Sequence, residues 1–123
     1  LNAERLAADG LLRRMQDRRG GIYDLPSNAP CSTDFAISRF LVPKLAQTGW
    51  ALFVDSDVVF MDDVAQLFEQ ADANKAVMVV KHSQPETGDK KMDGQTQTHY
   101  ARKNWSSVML WNCWHPANQR LSL

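Results

Sequence analysis

The chain has 123 residues, of which 44% are hydrophobic and 23% charged, a balance that describes one globular domain and excludes a disordered tail or a fibre. Fourteen Lys and Arg offset fourteen Asp and Glu, so the positive field that grips nucleic-acid phosphates is missing and no nucleic-acid partner is expected. The longest apolar runs, such as Ala76 to Val80, span about five residues against the roughly twenty needed to cross a bilayer, so no membrane span is expected.

Cys31 and Cys113 form neither a C-x-x-C pair nor a disulfide framework, and no basic stretch followed by an apolar one opens the chain. A cytoplasmic setting is the expectation. The first residue is Leu1 rather than Met, so the chain is expected to have been cut from, or processed out of, something longer. Residues 1–123 read as one partial domain, with 1–31 a helical and loop lead-in and 32–113 the core.

From Leu1 to Arg19, Leu6, Leu11, Leu12 and Met15 fall close to one apolar stripe, which predicts a helix that either runs through Gly10 or breaks there into two. Gly20-Gly21 ends it, and Gly20 to Pro30 reads as a loop anchored by Ile22 and Tyr23. Ser32, Thr33 or Asp34 caps a second helix, with Ile37, Phe40, Leu41 and Leu45 on one face. Pro43 either kinks that helix or restarts it from a first turn, and Gly49 stops it.

Trp50 to Val54 is wholly apolar and rich in β-formers, the pattern of a central strand covered on both faces. Val58 to Met61 resumes the apolar pattern. Asp62 or Asp63 then starts a helix through Val64, Leu67 and Phe68, with Asp63 and Gln66 as a capping box. Ala76–Val80 and Ser107–Trp111 are further strands, separated by a polar loop from Pro85 to Gln97. Helices alternating with short apolar runs predict an α/β sandwich with a mostly parallel central sheet.

The sharpest chemical feature is Asp55-Ser56-Asp57 at the carboxyl end of the first predicted strand, the place where open α/β sheets bind ligands. Carboxylates one residue apart can lean toward one point and offer hard oxygen ligands to Mn²⁺ or Mg²⁺, leaving the remaining positions to water and phosphate. The plainer reading is that one of them caps a turn. Lys81 and His82, leaving the second strand, should emerge on the same edge and contact phosphate or sugar hydroxyls, or else form an ordinary strand exit. His99 and His115 lack ligand spacing to each other or to His82.

Ser32-Thr33-Asp34-Phe35, Arg39-Phe40-Leu41-Val42-Pro43, Trp50 through Asp57, and Asp63-Val64-Ala65-Gln66-Leu67-Phe68 together resemble the GT-A-fold glycosyltransferases. They are most similar to the family 8 group, the glycogenin-like and galactosyltransferase-like enzymes. That resemblance implies a Rossmann-like fold incomplete at both ends, with a first nucleotide-binding strand that would precede Leu1. It implies that Asp55 and Asp57 hold Mn²⁺ or Mg²⁺ against the diphosphate of a nucleotide sugar, a uridine diphosphate sugar by analogy. Ser56 would lie near the ribose or sugar, and Arg39 would organise the donor site; its plainer role is a surface arginine paired with Asp34 or Glu69.

Asn104-Trp105-Ser106-Ser107, ahead of an apolar run, resembles the family's Asn-Ser-Gly strand and would border the sugar and a carbohydrate or other hydroxyl acceptor. Only Ser106 is identical in that alignment, with Asn104 displaced by one, and Trp105 is either a sugar platform or core. His115-Pro116 does not match the family's C-terminal histidine ligand, so the third metal ligand is expected to lie outside this chain. The donor sugar, the acceptor, the stereochemistry and the oligomeric state are not specified by these residues.

Two alternatives stand beside the transferase. A haloacid-dehalogenase-like phosphohydrolase would use Asp55 as nucleophile and Asp57 as acid and base; Gly88-Asp89-Lys90-Lys91-Met92-Asp93 fits that family's second motif, but Pro85-Glu86-Thr87 precede it in place of a buried strand. A non-catalytic carbohydrate or protein-interaction module would leave the aspartates as turn residues.

Overall fold

In a computed structural model of the chain, which describes residues 2–16, 21–31, 36–81 and 105–121, the first helix is short. Helix α1 (Ala3–Ala8) starts at Asn2, whose side chain accepts a hydrogen bond from the Arg5 amide at 2.9 Å. It does not run on to Arg19. The Leu11 amide donates to the Leu6 carbonyl at 2.8 Å and the Gly10 amide to the Ala7 carbonyl at 3.0 Å, the paired bonds of a Schellman stop. Gly10 sits at φ +71°, a conformation that suits a residue without Cβ, and Leu11 packs back against the cluster that holds Leu6.

The segment expected to continue as helix and loop instead forms a sheet. Strands β1 (Arg14–Gln16), β2 (Ile22–Asp24) and β3 (Ala29–Cys31) pair antiparallel in that order. The β2–β3 turn is held by the buried Asp24, which accepts from the Ser27 amide at 2.9 Å, and by the Tyr23 hydroxyl, which donates to the Asn28 carbonyl at 2.8 Å. Pro30 lies on β3, at the sheet edge, where a strand tolerates a missing N–H. Pro26 and Pro30, which read as loop punctuation, are here a turn residue and an edge residue of a small sheet.

A 3-10 turn (Ser38–Leu41) leads directly into α2 (Val42–Ala46), with Pro43 in the first helical turn. The restart at Pro43 is the alternative that forms. The stop comes at Gln47, φ +66°, two residues ahead of Gly49, φ +73°. Leu41 is fully buried with Leu6 and Leu12, so the lead-in and the helical segment share one apolar cluster.

The second sheet carries the candidate site. Strands β4 (Trp50–Val54), β5 (Val77–Val79) and β6 (Val108–Asn112) are ordered β4-β6-β5, and β6 is antiparallel to both neighbours. This corrects the expected mostly parallel, Rossmann-like GT-A sheet: both sheets among the described residues are antiparallel. Strands β4 and β5 do point the same way, and α3 (Ala65–Glu69) lies between them in sequence, which is why the pattern reads as parallel. Strand β6 enters between them with the opposite direction and takes the hydrogen bonds that a parallel pair would have made.

The expected central strand is likewise displaced. Strand β4 is half-buried along its whole length, whereas Met109, Leu110, Trp111 and Asn112 of β6 are all buried. On one face, Met109, Trp111 and Cys113 pack with Phe40, Val42, Ala51 and Phe53, and the Phe40 and Trp111 rings meet edge to face at 6.0 Å. On the other, Leu52, Met78, Val108 and Leu110 line an apolar groove of about 100 Å³ with Leu67 of α3.

Helix α3 starts without the expected capping box. The Asp63 carboxylate accepts from the Ala65 amide at 2.9 Å, but the Gln66 side chain donates to Asp62 at 3.2 Å instead of reaching back to an amide. Helix α4 (Pro116–Gln119) is capped by His115, whose Nδ1 accepts from the Ala117 amide at 3.2 Å. The buried Asn118 side chain donates through Nδ2 to the Ala76 and Asn112 carbonyls at 2.6 and 2.8 Å, tying α4 to the β5–β6 edge.

Because Gly10 ends α1 in a left-handed conformation, Gly10→Ala should destabilise the fold by about 1 kcal/mol. A helix running through that position would be stabilised by alanine instead, so the sign of the shift in a urea denaturation series decides between the two.

Candidate functional site

The β4–β6 ladder extends one step beyond Val54: the Asp55 amide donates to the Ser107 carbonyl at 2.9 Å. The Asp55 carbonyl then accepts from the Val58 amide at 3.2 Å and closes a turn with Ser56 and Asp57 at its centre. Asp55 is half-buried at the root of this turn, and Ser56 and Asp57 are exposed at its tip. The two aspartates are therefore unequal. One is built into the sheet end and the other projects from it.

Arg39, on the 3-10 turn, reaches this root. Its Nη1 donates to the Ser106 carbonyl at 2.7 Å, and Nη2 lies 3.4 Å from Asp55 Oδ1. That ion pair is longer than a charge-assisted hydrogen bond of about 2.7–2.9 Å, so attraction across the gap rather than a short bond holds the carboxylate. The guanidinium carbon stands 5.2 Å from the centre of the Phe53 ring, whose face favours a cation. The Arg39 side chain is only 13% exposed, and its Nε is buried without a hydrogen-bond partner. Among the described residues the partner of Arg39 is Asp55 and not Glu69, while Asp34 lies outside them.

The remaining expected site residues divide by location. Lys81 lies just past β5, exposed, on the sheet edge where β4 also ends, since both strands run opposite to β6. His82 and Asn104 lie outside the described residues, as do the 85–97 loop and Gly88 through Asp93. Trp105 is half-buried and packs against the Met109, Trp111 and Cys113 cluster. Ser106 and Ser107 come to the site through their main-chain carbonyls. Sequence reasoning missed that role, and missed Phe53 as the surface under Arg39, because neither depends on side-chain chemistry that a motif displays.

Among the described residues, no group of three or more His, Cys, Asp and Glu gathers to hold a metal. Asp55 and Asp57 fit the smaller demand of a cation that keeps several waters and shares a phosphate ligand, for which one or two carboxylates suffice. Two groups elsewhere, Asp72 and Cys113, are shifted from their ordinary values. Asp72 is held below the ordinary carboxylate range by hydrogen bonds from the Asn74 amide and side chain, with Lys75 nearby, and it shapes the α3–β5 connection. Burial pushes the Cys113 thiol up, which suppresses the thiolate and makes it a poor nucleophile. Cys113 takes part in no disulfide.

The chain is 44% identical over 106 residues to Protein CDI of Arabidopsis thaliana, a match that covers 85% of this chain and 41% of that protein. The chain thus spans about two-fifths of the length of the curated relative it matches. No protein-family model matches the chain, and no solved structure matches it. These findings, with the antiparallel sheets and the lack of a three-residue metal cluster among the described residues, correct the expected placement in the GT-A, family 8 glycosyltransferases. The likeness rested on short runs between Ser32 and Phe68 and at Asn104 to Ser107, and runs of that size do not fix the direction of the strands they border. No helix among the described residues is long and apolar enough to cross a membrane.

Because Cys113 is buried with a raised pKa, a thiol reagent at pH 8 should label it about tenfold or more slowly in the native Cys31→Ser variant than in the same variant unfolded in urea. Equal rates would mean that the strand end opens freely.

Proposed function

We propose that the Asp55–Asp57 turn binds Mn²⁺ or Mg²⁺ together with the diphosphate of a nucleotide sugar, and that the protein transfers the sugar to a carbohydrate or other hydroxyl acceptor. The single observation that carries this reading is the turn itself: two carboxylates at one strand end, of which Asp57 is exposed with no partner among the described residues. Such a pair supplies part of an octahedral oxygen shell and leaves the rest to water and phosphate oxygens. Once bound, the cation would neutralise the charge left on the departing nucleoside diphosphate.

The chain's own residues have separate tasks in this reading. Asp57 meets the cation, Asp55 offers the carboxylate oxygen that Arg39 does not face, and the Ser56 hydroxyl is free to hydrogen-bond to donor oxygens. Lys81, on the same edge, adds a positive charge toward phosphate. The activity, substrates and partners of a longer protein, of which a chain like this would be a piece, belong to the same proposal.

A second reading is favoured by the run just after the turn. Val59 and Met61 are 79% and 94% exposed, and Phe60 is also exposed, an apolar surface of the kind that protein-interaction modules present. In that case the aspartates only shape the turn.

Calorimetric titration of uridine diphosphate into the chain separates these readings. Binding should require Mn²⁺ and should weaken about tenfold or more in Asp57→Asn. Absence of binding with and without Mn²⁺ would sink the donor-site reading and leave the interaction module.

A further inference from the structure

We infer that Arg39 is a positioning residue that clamps the Asp55 carboxylate to the Ser106 carbonyl and thereby makes the end of β4 and the start of β6 one rigid seat for the Asp55–Asp57 turn. The inference rests on the reading that this turn is a ligand site, and it removes Arg39 from the groups that touch the ligand. Its two terminal nitrogens are already engaged, Nη1 with Ser106 at 2.7 Å and Nη2 with Asp55 at 3.4 Å, and its central carbon lies over the Phe53 ring. A side chain only 13% exposed, with both ends of its fork occupied, has little left to offer a donor.

The contacts close a ring. Asp55 joins Ser107 through the main chain at 2.9 Å, Ser107 follows Ser106, Ser106 accepts from Arg39, and Arg39 returns to Asp55 through its carboxylate. The main-chain bond fixes where the Asp55 backbone sits, and the side-chain pair fixes which way its carboxylate turns. Without Arg39 the carboxylate would be free about two torsions, and the turn would hang from one terminal ladder bond. The buried Nε has no partner, a cost to stability that the contacts of the other two nitrogens offset. A planar fork is needed for that geometry. Lysine carries the same charge as a point donor and cannot span both acceptors in the same way.

The test uses Arg39→Met and Arg39→Lys in the full chain, read by amide hydrogen exchange and by Mn²⁺ binding followed through water-proton relaxation. The reference is the Cys113 amide, bonded to the Gly49 carbonyl at 2.8 Å at the far end of the same ladder. In Arg39→Met, exchange at the Asp55 amide should rise about tenfold relative to Cys113, and Mn²⁺ affinity should fall. Arg39→Lys should restore neither fully. Should Arg39→Met fail to fold, the Asp55-to-Cys113 exchange ratio in Arg39→Lys carries the comparison, and its rise is the expected result.

An unchanged ratio, or full rescue by lysine, would overturn the clamp. So would tighter Mn²⁺ binding in Arg39→Met, because a residue acting only as a nearby positive charge repels the cation, and its removal would strengthen binding. A wild-type chain that binds no Mn²⁺, but loses Asp55 protection when Arg39 is replaced, would reject the cation site while keeping the clamp.

Discussion

Strand β6 is the constraint on which the second sheet depends. It is hydrogen-bonded on both edges, to β4 from Trp50 to Val54 and to β5 from Val77 to Val79, and it contributes the most completely buried run of side chains. The strand as a whole therefore serves two neighbours and two faces, with successive side chains alternating between the faces. Met109 and Trp111 turn toward Phe40 and Val42, and Leu110 turns toward the groove beneath α3. The period-two geometry of a strand allows no other division once one of these residues is assigned. The position of Asp55 follows from the same ladder, since its amide makes the next bond beyond the paired strands.

Around that ladder, polar groups do the work of fixing ends. Asn118 ties α4 to the main-chain carbonyls of Ala76 and Asn112, and the Asn112 side chain reaches the Ala73 carbonyl at 3.2 Å. At the opposite end, Arg39 does the comparable job between Asp55 and Ser106. These bonds add side-chain donors at the strand ends; the Ala76 and Asn112 carbonyls also accept from the Asn112 and His115 main-chain amides at 3.0 and 3.1 Å, so Asn118 reinforces bonds already made. The difference between the two ends is chemical. One is closed by neutral amides, whereas the other carries a guanidinium, a half-buried carboxylate and, just beyond them, an exposed one.

That difference is what makes the β4 end a candidate for chemistry and the β6 end a structural joint. A rigid strand terminus presents Asp57 while its root is held by both main-chain and side-chain contacts, an arrangement suited to a ligand that needs fixed oxygen donors. The apolar run from Val59 to Met61 lies immediately after the same turn. Charged and exposed apolar side chains thus follow one another within a few residues of this strand end.

Much of the second sheet was legible in the residues, because local patterns control it. Trp50–Val54 was bounded correctly as a strand, Ala76–Val80 and Ser107–Trp111 each came within one residue of the observed strands, and Pro43 does restart a helix. The aspartate turn and the shared edge of Lys81 also followed from order along the chain. The first sheet was not legible, since three-residue strands give too little alternation to stand against a helical stripe and a cluster of Gly and Pro. By itself the sequence determined which short segments are apolar, where the chain must turn, and that two carboxylates stand at one strand end. Only the tertiary structure decided that β6 runs antiparallel between β4 and β5, and that Arg39 pairs with Asp55 and the Ser106 carbonyl, because strand direction and main-chain acceptors are set by contacts between residues far apart in the chain and leave no mark in local spacing.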